Sequence, residues 1–189
     1  MNQVSRIFSK SILNQSLLNY VVCVWVIMMT TACQKQNSNN DELKAVETII
    51  ENNIEWFKNK DFKLSYSTMS NGPDLFLFQL DSKSTINGFE EFKKFSEVWK
   101  NPDVKYGGHK FYDLKITISR LGDAAWFHCM LEDCSKYKDN PVRCFTTRYS
   151  GVLEKREGRW ILIEQHFSVP ADQISDDWEK RVVHAPSDI

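Results

Sequence analysis

Hydrophobic residues recur every three or four positions between residues 41 and 60, which is the spacing of one face of an α-helix. The stripe consists of Leu43, Val46, Ile50, Ile54 and Phe57. A second, short helix is predicted over 61–70, with Asp61 as its N-cap. A third helix is predicted to open at a capping box formed by Asn87 and Glu90. Its apolar face is aromatic and contains Phe89, Phe92, Phe95 and Trp99.

Beyond Pro102 the hydrophobic period changes from about 3.6 to two, which is typical of half-buried β-strands. Segments bounded by turn-forming residues predict strands over 111–119, 124–132, 144–155 and 160–169, and a buried strand is expected earlier, over 75–80. Three helices followed by consecutive antiparallel strands predict an α+β domain.

The last hairpin admits two registers, depending on its turn. A three-residue loop with Gly158 in the left-handed position pairs Lys155 with Arg159 and Arg148 with His166, whereas a two-residue turn at Glu157-Gly158 shifts this pairing by one residue. The first register separates apolar from polar side chains cleanly, so we expect it.

The first 32 residues have the pattern of an export signal. Arg6 and Lys10 precede an apolar run over 17–29 that contains one polar residue, Asn19, and is too short for an ordinary membrane-spanning helix. The run leads into Thr30-Thr31-Ala32-Cys33, which resembles the lipobox of bacterial lipoproteins, where the cysteine is acylated and becomes the first residue of the mature chain. An ordinary cleaved signal or an uncleaved anchor is the alternative.

Four segments follow from this interpretation. Residues 1–32 form the signal peptide, and 33–40 form a polar tether with the sequence CQKQNSNN. Residues 41–170 form the folded domain, and 171–189 form a charged C-terminal tail. The expected location is the bacterial cell envelope, at the outer membrane or the periplasmic face, where acylation by two or more chains would anchor the protein stably.

The formal net charge is −1, from 24 basic and 25 acidic residues. No overall positive field is available to recruit nucleic acid, so a nucleic-acid partner is not expected. The four histidines show no local metal-ligand spacing and phosphate-binding glycine motifs are lacking, so the sequence predicts neither a metal nor a cofactor.

Cysteines beyond the signal invite pairing in an oxidising envelope. Cys134 and Cys144 bracket the turn-rich segment SKYKDNPVR and are expected to face each other across a hairpin. Cys129 cannot easily reach Cys134 along one strand, because five residues span about 16 Å. The alternative is three buried thiols that behave as small hydrophobic groups.

Two runs carry a family resemblance. The segment LGDAAWFHCMLE from Leu121, and RYSGVLEKREGRWILIEQHFSVP over 148–170, resemble SnoaL-like domains of the nuclear transport factor two-like superfamily. The resemblance spans about residues 41–170 and implies a cone, in which a curved antiparallel sheet wraps three N-terminal helices and leaves a cavity at its wide end. It also implies pairing of two copies through the outer sheet face. Members include isomerases, dehydratases, hydrolases and non-enzymatic association domains, so the reaction stays open.

Side chains expected to line the cone are largely aromatic. They are Tyr66, Phe95, Trp99, Tyr149, Gln165 and Phe167. The simpler interpretation of each aromatic is an ordinary core residue, whereas a buried Gln165 must find polar partners or meet a ligand.

Arg148, Glu164 and His166 form the best charged cluster in the sequence. His166 held by Glu164 has the composition of a general base, but the preferred register places the cluster on the outer face, where structural ion pairs are simpler. Asp61 with Tyr66, and Asp113, are weaker acid–base candidates.

We therefore expect a membrane-anchored lipoprotein that binds a small apolar or amphipathic molecule in the cone and forms a homodimer. Two alternatives remain. One is an acid–base enzyme of the isomerase, dehydratase or hydrolase type that uses the same pocket, and the other is a protein-interaction module that uses the outer sheet face.

Overall fold

The computed structural model describes residues 39–80 and 84–171. The predicted signal peptide, Cys33, most of the tether and the tail beyond residue 171 lie outside these residues. Among the helices of the described part, none is long and apolar enough to cross a membrane.

In the part of the chain that the structure describes, three α-helices and one turn of 3₁₀ helix precede most of the sheet. Helix α1 covers 39–59, α2 covers Phe62–Ser67, α3 covers Phe89–Ser96, and the 3₁₀ turn covers Glu97–Lys100. Helix α1 buries Val46, Ile50, Asn53 and Phe57, at the predicted spacing of three and four residues. Asp61 caps α2, because its carboxylate accepts a hydrogen bond from the Leu64 N–H at 3.0 Å.

The predicted capping box is wrong. Asn87 belongs to a strand, and the N-cap of α3 is Gly88, which has a positive φ of 84° and no side chain to offer. Glu91, and not Glu90, bonds to the backbone before the helix, because its carboxylate accepts a hydrogen bond from the Asn87 N–H at 2.6 Å.

Among residues 39–80 and 84–171, six strands form one sheet in the order β2-β1-β6-β5-β4-β3. Their bounds are β1 Phe76–Phe78, β2 Ile86–Asn87, β3 Val104–Ile118, β4 Ala124–Tyr137, β5 Arg143–Arg156 and β6 Arg159–Ser168. The pairs β3–β4, β4–β5 and β5–β6 are antiparallel, as predicted. Strand β1 pairs with β2 in antiparallel and with β6 in parallel orientation. The fold is the expected α+β arrangement, with a curved sheet against N-terminal helices.

The core lies between helix α1 and the inner face of the sheet. From Ala125 to Leu131 on β4 the buried residues alternate, so that every second side chain faces the helices. The largest fully buried apolar side chains are Tyr149, Phe127, Ile50, Leu75, Leu77, Leu131, Leu153, Leu162 and Val46.

The register expected for the last hairpin is wrong. Arg156 pairs with Arg159 across a two-residue turn, in which Glu157 and Gly158 both have positive φ, as a type I′ turn requires. A β-bulge, and not a longer loop, keeps apolar and polar side chains on separate faces of the hairpin. At this bulge β6 has one extra residue, Ile163, opposite Val152 and Leu153. Arg148 therefore pairs with Ser168, and His166 pairs with Ser150.

Candidate functional site

Three of the predicted pocket residues meet at the centre of the core. The rings of Tyr149 and Phe167 stack with centroids 4.5 Å apart, and Gln165 lies beside them, 5% exposed. The amide of Asn53 on α1 donates to Tyr149 Oη at 2.9 Å and to Gln165 Oε1 at 2.8 Å. Thr68 Oγ1 lies 3.2 Å from Asn53 Oδ1, so this buried polar group is connected to α2 as well.

This central network satisfies its own hydrogen bonds. Gln165 finds its partner in Asn53, and burial raises the pKa of the Tyr149 phenol, which keeps it neutral. Such a network fixes the position of the helix on the sheet and leaves little hydrogen-bonding capacity for a guest molecule. Asn53 was not recognised in the sequence, although it lies on the buried stripe of α1, where an amide needs partners.

The other predicted pocket residues lie among the helices. Tyr66 packs edge-on against Phe89, and its phenol oxygen lies 2.9 Å from Ser96 Oγ. Trp99 packs edge-on against Phe57, with ring centroids 5.0 Å apart, and Phe95 is half-buried against the core. The structure thus separates the six into two groups and does not bring them together around one site.

Arg148, Glu164 and His166 lie on the outer face of the sheet. Arg148 is exposed and donates to the Val169 carbonyl at 3.3 Å, while the His166 ring lies 5.3 Å from that of Phe78. Among the described residues, no hydrogen bond or ion pair joins the three side chains. Asp113, the weaker candidate, is exposed at an irregularity of β3, with a φ of 52°.

A different polar group lies on the inner face, where β3 begins and β4 ends. We call it the corner site, and it consists of Tyr106, His109 and Asp133. Asp133 is half-buried two residues beyond Leu131 on β4, so the parity of the strand places it on the same face as Phe127, Cys129 and Leu131. His109 is directly opposite Asp133 in the β3–β4 register, which places their Cβ atoms about 5 Å apart.

A β-bulge brings Tyr106 to the same face as His109. Residues three apart in a regular strand point to opposite faces. The register shift between Tyr106 and Gly108 inserts Gly107 as an extra residue, so both side chains face inward and Tyr106 Oη lies 2.7 Å from His109 Nδ1. Gly107 is required here, because a Cβ at this position would lie 3.1 Å from the backbone carbonyl of Cys134.

Burial shifts the pKa values of this group toward neutrality. It raises the pKa of the Asp133 carboxyl from 3.8 to about 6, and the backbone N–H of Cys134 offsets this in part. It lowers the pKa of His109, although Glu55 and Glu51 on α1 oppose the effect, and it raises the pKa of Tyr106. Near pH 7 the site therefore holds a neutral imidazole, a neutral phenol and a carboxyl group that titrates close by.

Aromatic side chains surround these polar groups. The His109 ring lies edge-on to Phe111 at 5.3 Å, and Tyr106 lies edge-on to Phe57 at 6.3 Å. Phe145, 38% exposed, is opposite Asp133 on β5. On the helix side, Glu55 forms an ion pair with Lys58 at 3.3 Å.

The corner site was not found in the sequence. Asp133 could have been reached by continuing the alternation of β4 past Glu132, where the predicted strand ended. Tyr106 and His109 could not have been predicted as a pair, because the contact between their side chains depends on a β-bulge. Within 39–80 and 84–171, no three His, Cys, Asp or Glu side chains are grouped so as to hold a metal ion.

Cys134 and Cys144, the predicted pair, are joined by a disulfide between opposite positions of β4 and β5. Asp133 and Phe145 are their immediate neighbours in sequence. The strands alternate, so the disulfide is on the outer face and the corner site is on the inner one. Cys129 is a buried thiol, and burial raises its pKa to about 12.

The sequence model of the SnoaL-like domain matches residues 46–172, about two thirds of the chain. The chain belongs to the SnoaL-like domain family. Among curated proteins, none matches it.

Solved structures with the same fold have little sequence in common with this SnoaL-like chain. A candidate scytalone dehydratase from Novosphingobium aromaticivorans superposes with a TM-score of 0.60 at 14% identity, covering 70% of this chain and 86% of the other. An NTF2-like protein of unknown function from Pseudomonas putida gives 0.56 at 16%, covering 67% and 85%. The association domain of CaMKII from C. elegans gives 0.52 at 17%, covering 71% and 97%. At these identities the likeness establishes the fold alone.

Proposed function

We propose that this SnoaL-like chain binds a small, largely apolar molecule at the corner site. The carrying observation is the 2.7 Å contact between Tyr106 and His109 directly beside the half-buried Asp133, on the inner face of the sheet. Aromatic rings supply the apolar surface, and the three polar groups supply orientation, which is the usual composition of a small-molecule site.

The corner site has hydrogen-bonding groups available to a ligand, whereas those of the central network are bonded to one another. Asn53, Tyr149 and Gln165 bond to one another. In the described part of the chain, by contrast, no side chain donates a hydrogen bond to the Asp133 carboxyl. The backbone N–H of Cys134 bonds to this carboxyl, and a hydroxyl or amide N–H on a ligand would supply the side-chain donor that it lacks.

Native mass spectrometry of the full chain extracted from its own cell envelope tests this proposal. We expect the wild type to retain a ligand that Asp133→Asn loses in large part. Glu132→Gln is the matched control, since it removes the neighbouring carboxylate, which faces outward from the same strand. Equal ligand retention by both variants, or no retained ligand in the wild type, would contradict binding at this site.

Acid–base catalysis at the same site is the second candidate function. It is favoured by the Asp133 pKa of about 6, because a general acid or base works best with a pKa near the working pH. Asp133 would exchange the proton of a bound substrate, and the Tyr106–His109 pair would stabilise charge that develops on its oxygen. An isomerase, a dehydratase and a hydrolase all use such steps.

Deuterium exchange at the α-carbon of cyclic ketone probes, followed by NMR in heavy water, separates an enzyme from a binding protein. We expect catalysed exchange that rises through about pH 6 as Asp133 ionises and that is lost in Asp133→Asn. Exchange no faster than in buffer across the probes, together with a retained ligand, would support binding alone.

We also propose, from the N-terminal sequence, that Cys33 is acylated and anchors the protein in the cell envelope. The predicted consequence is a wild-type chain that partitions into detergent and a Cys33→Ala chain that does not. A Cys33→Ala chain that stays in the membrane fraction after a high-salt wash would refute the lipid anchor.

A homodimer through the outer sheet face completes the proposal. Phe78, 47% exposed, and Trp126, 46% exposed, lie on this face, and exposed aromatics are enriched at interfaces. We expect a dimer in native mass spectra and a monomer after Trp126→Glu. A wild-type monomer that captures a different protein through the same face would instead favour the interaction-module alternative.

A further inference from the structure

The disulfide is connected to every part of the corner site. Cys134 immediately follows Asp133, and Cys144 immediately precedes Phe145. The backbone of Cys134 also lies directly against Gly107, the bulge residue that turns Tyr106 and His109 to the same face. One covalent bond thus joins the strand that carries Asp133 to the strand that carries Phe145, beneath the bulge that places the other two side chains.

Strand β5 has little other support at this end. The β5–β6 pairing stops at Arg148 opposite Ser168. Residues 143–147 therefore pair, among the strands that the structure describes, with β4 alone. A segment held along one edge opens more easily than one held along both. Without the disulfide, it would be anchored by its β4 hydrogen bonds and by the turn after Tyr137.

The two cysteines differ in their access to solvent. Cys134 is 8% exposed, whereas Cys144 belongs to an exposed run over 141–145. A soluble thiol can therefore approach the sulfur of Cys144 while that of Cys134 stays covered.

We propose that the Cys134–Cys144 disulfide is a redox switch for the corner site, closed when oxidised and opened when a dithiol reduces it. In the oxidised form, β5 holds Phe145 opposite Asp133. In the reduced form, residues 143–147 separate from β4, water reaches Asp133, and the site loses the wall that a ligand would pack against. The predicted loss of ligand binding on reduction rests on the proposed function, whereas the predicted opening of β5 does not.

The chemistry is a balanced thiol–disulfide exchange. A thiolate of the dithiol attacks Cys144 Sγ and forms a mixed disulfide, and Cys134 leaves as a thiolate that takes up a proton. The second thiol of the reductant then attacks its own sulfur in the mixed disulfide and releases Cys144. The dithiol is oxidised by two electrons, and the protein gains two protons and two electrons.

Hydrogen exchange read by mass spectrometry on the full chain in detergent tests the switch, with dithiothreitol as the dithiol and intact mass to verify reduction. We expect exchange in peptides covering 143–149 to rise at least about tenfold on reduction, while peptides covering 125–131 change little. Cys134→Ser/Cys144→Ser should exchange fast in both conditions. Cys129→Ser, which removes the free thiol, should respond as the wild type does.

A second measurement keeps the test informative if the double variant fails to fold. The pKa of the His109 ring is measured by NMR through a pH titration. It should rise toward the ordinary histidine value of 6.5 when the native protein is reduced, because the site gains water. Glu51, Glu55 and Lys58 face this ring from α1 and are unchanged by reduction.

Two results would overturn the proposal. One is unchanged exchange over 143–149 in fully reduced protein. The other is increased exchange with an unaltered His109 titration, which would show that β5 opens without affecting the site. Failure of the proposed function is distinguishable, because a site that binds nothing in either state would still show both effects.

Discussion

Replacing Asp133 by Asn should stabilise the protein at neutral pH. Its pKa rises from 3.8 to about 6 in the folded chain, so ionising it costs the native state about 3 kcal/mol at 1.36 kcal/mol per pKa unit. The side chain is half-buried and keeps some solvent screening, so we expect Asp133→Asn to gain about 1 to 3 kcal/mol above pH 6. An amide of the same shape removes the charge without creating a cavity.

The pH dependence follows from the direction of the shift. Between about pH 4 and pH 6 the native chain holds more protons than the unfolded chain, so its free energy of unfolding falls as pH rises through this window. Because Asn does not titrate, the advantage of Asp133→Asn should be near zero at about pH 4 and complete above about pH 6.

Urea unfolding followed by tryptophan fluorescence, repeated between about pH 4 and pH 8, measures this difference. Glu132→Gln should show no such growth with pH, since it removes an outward-facing carboxylate. If Asp133→Asn destabilised the chain at pH 8, or if its effect were the same at every pH, then Asp133 would be a satisfied carboxylate and the electrostatic description of the corner site would be wrong.

Three further predictions concern the packing around the site. Asn53→Ala should lower the free energy of unfolding by about 2 to 4 kcal/mol, because Tyr149 Oη and Gln165 Oε1 lose the amide that donates to both of them in the core. Asn52→Ala, half-buried beside it, should cost under about 0.5 kcal/mol, and thermal melts of both variants measure the difference. Gly107→Ala should cost about 1 to 3 kcal/mol and shift the His109 ring signals in NMR, since the new Cβ would lie 2.7 Å from Val142 Cγ1; unaltered signals would show that the bulge does not hold the pair. Cys129, with its pKa raised to about 12, should resist iodoacetamide at pH 8 in the native chain and react in urea; native labelling would contradict its burial.

Periodicity predicted the elements of the fold well where the chain is regular. The stripe of α1 and the strand segments from residue 111 onward are read directly from spacings of three, four and two. The alternation also contained Asp133, one step beyond the predicted end of β4. What ended the prediction there was the expectation of a turn, although the strand continues to Tyr137.

Bulges account for the parts that spacing could not predict. The contact of Tyr106 with His109 needs the extra residue Gly107, and the pairing of Arg148 with Ser168 needs the extra residue at Ile163. A bulge depends on which backbone alternative packs better in three dimensions, and single-strand patterns carry little of that information. Asn53 was missed for a related reason, since an amide on an apolar stripe is explained only by the Tyr149 and Gln165 side chains that it meets.

The irregularity at Ile163 has a consequence for anyone who mutates this strand systematically. Buried positions of β6 are even-numbered at Trp160 and Leu162 and odd-numbered at Gln165, with the stacked Phe167 following the same parity. A scan of single substitutions across 159–168 should therefore show intolerance that changes phase once, midway along the strand. An algorithm that assumes unbroken alternation would misassign half of the positions of β6. It would classify the exposed Glu164, and not Gln165, as the buried residue that must be kept.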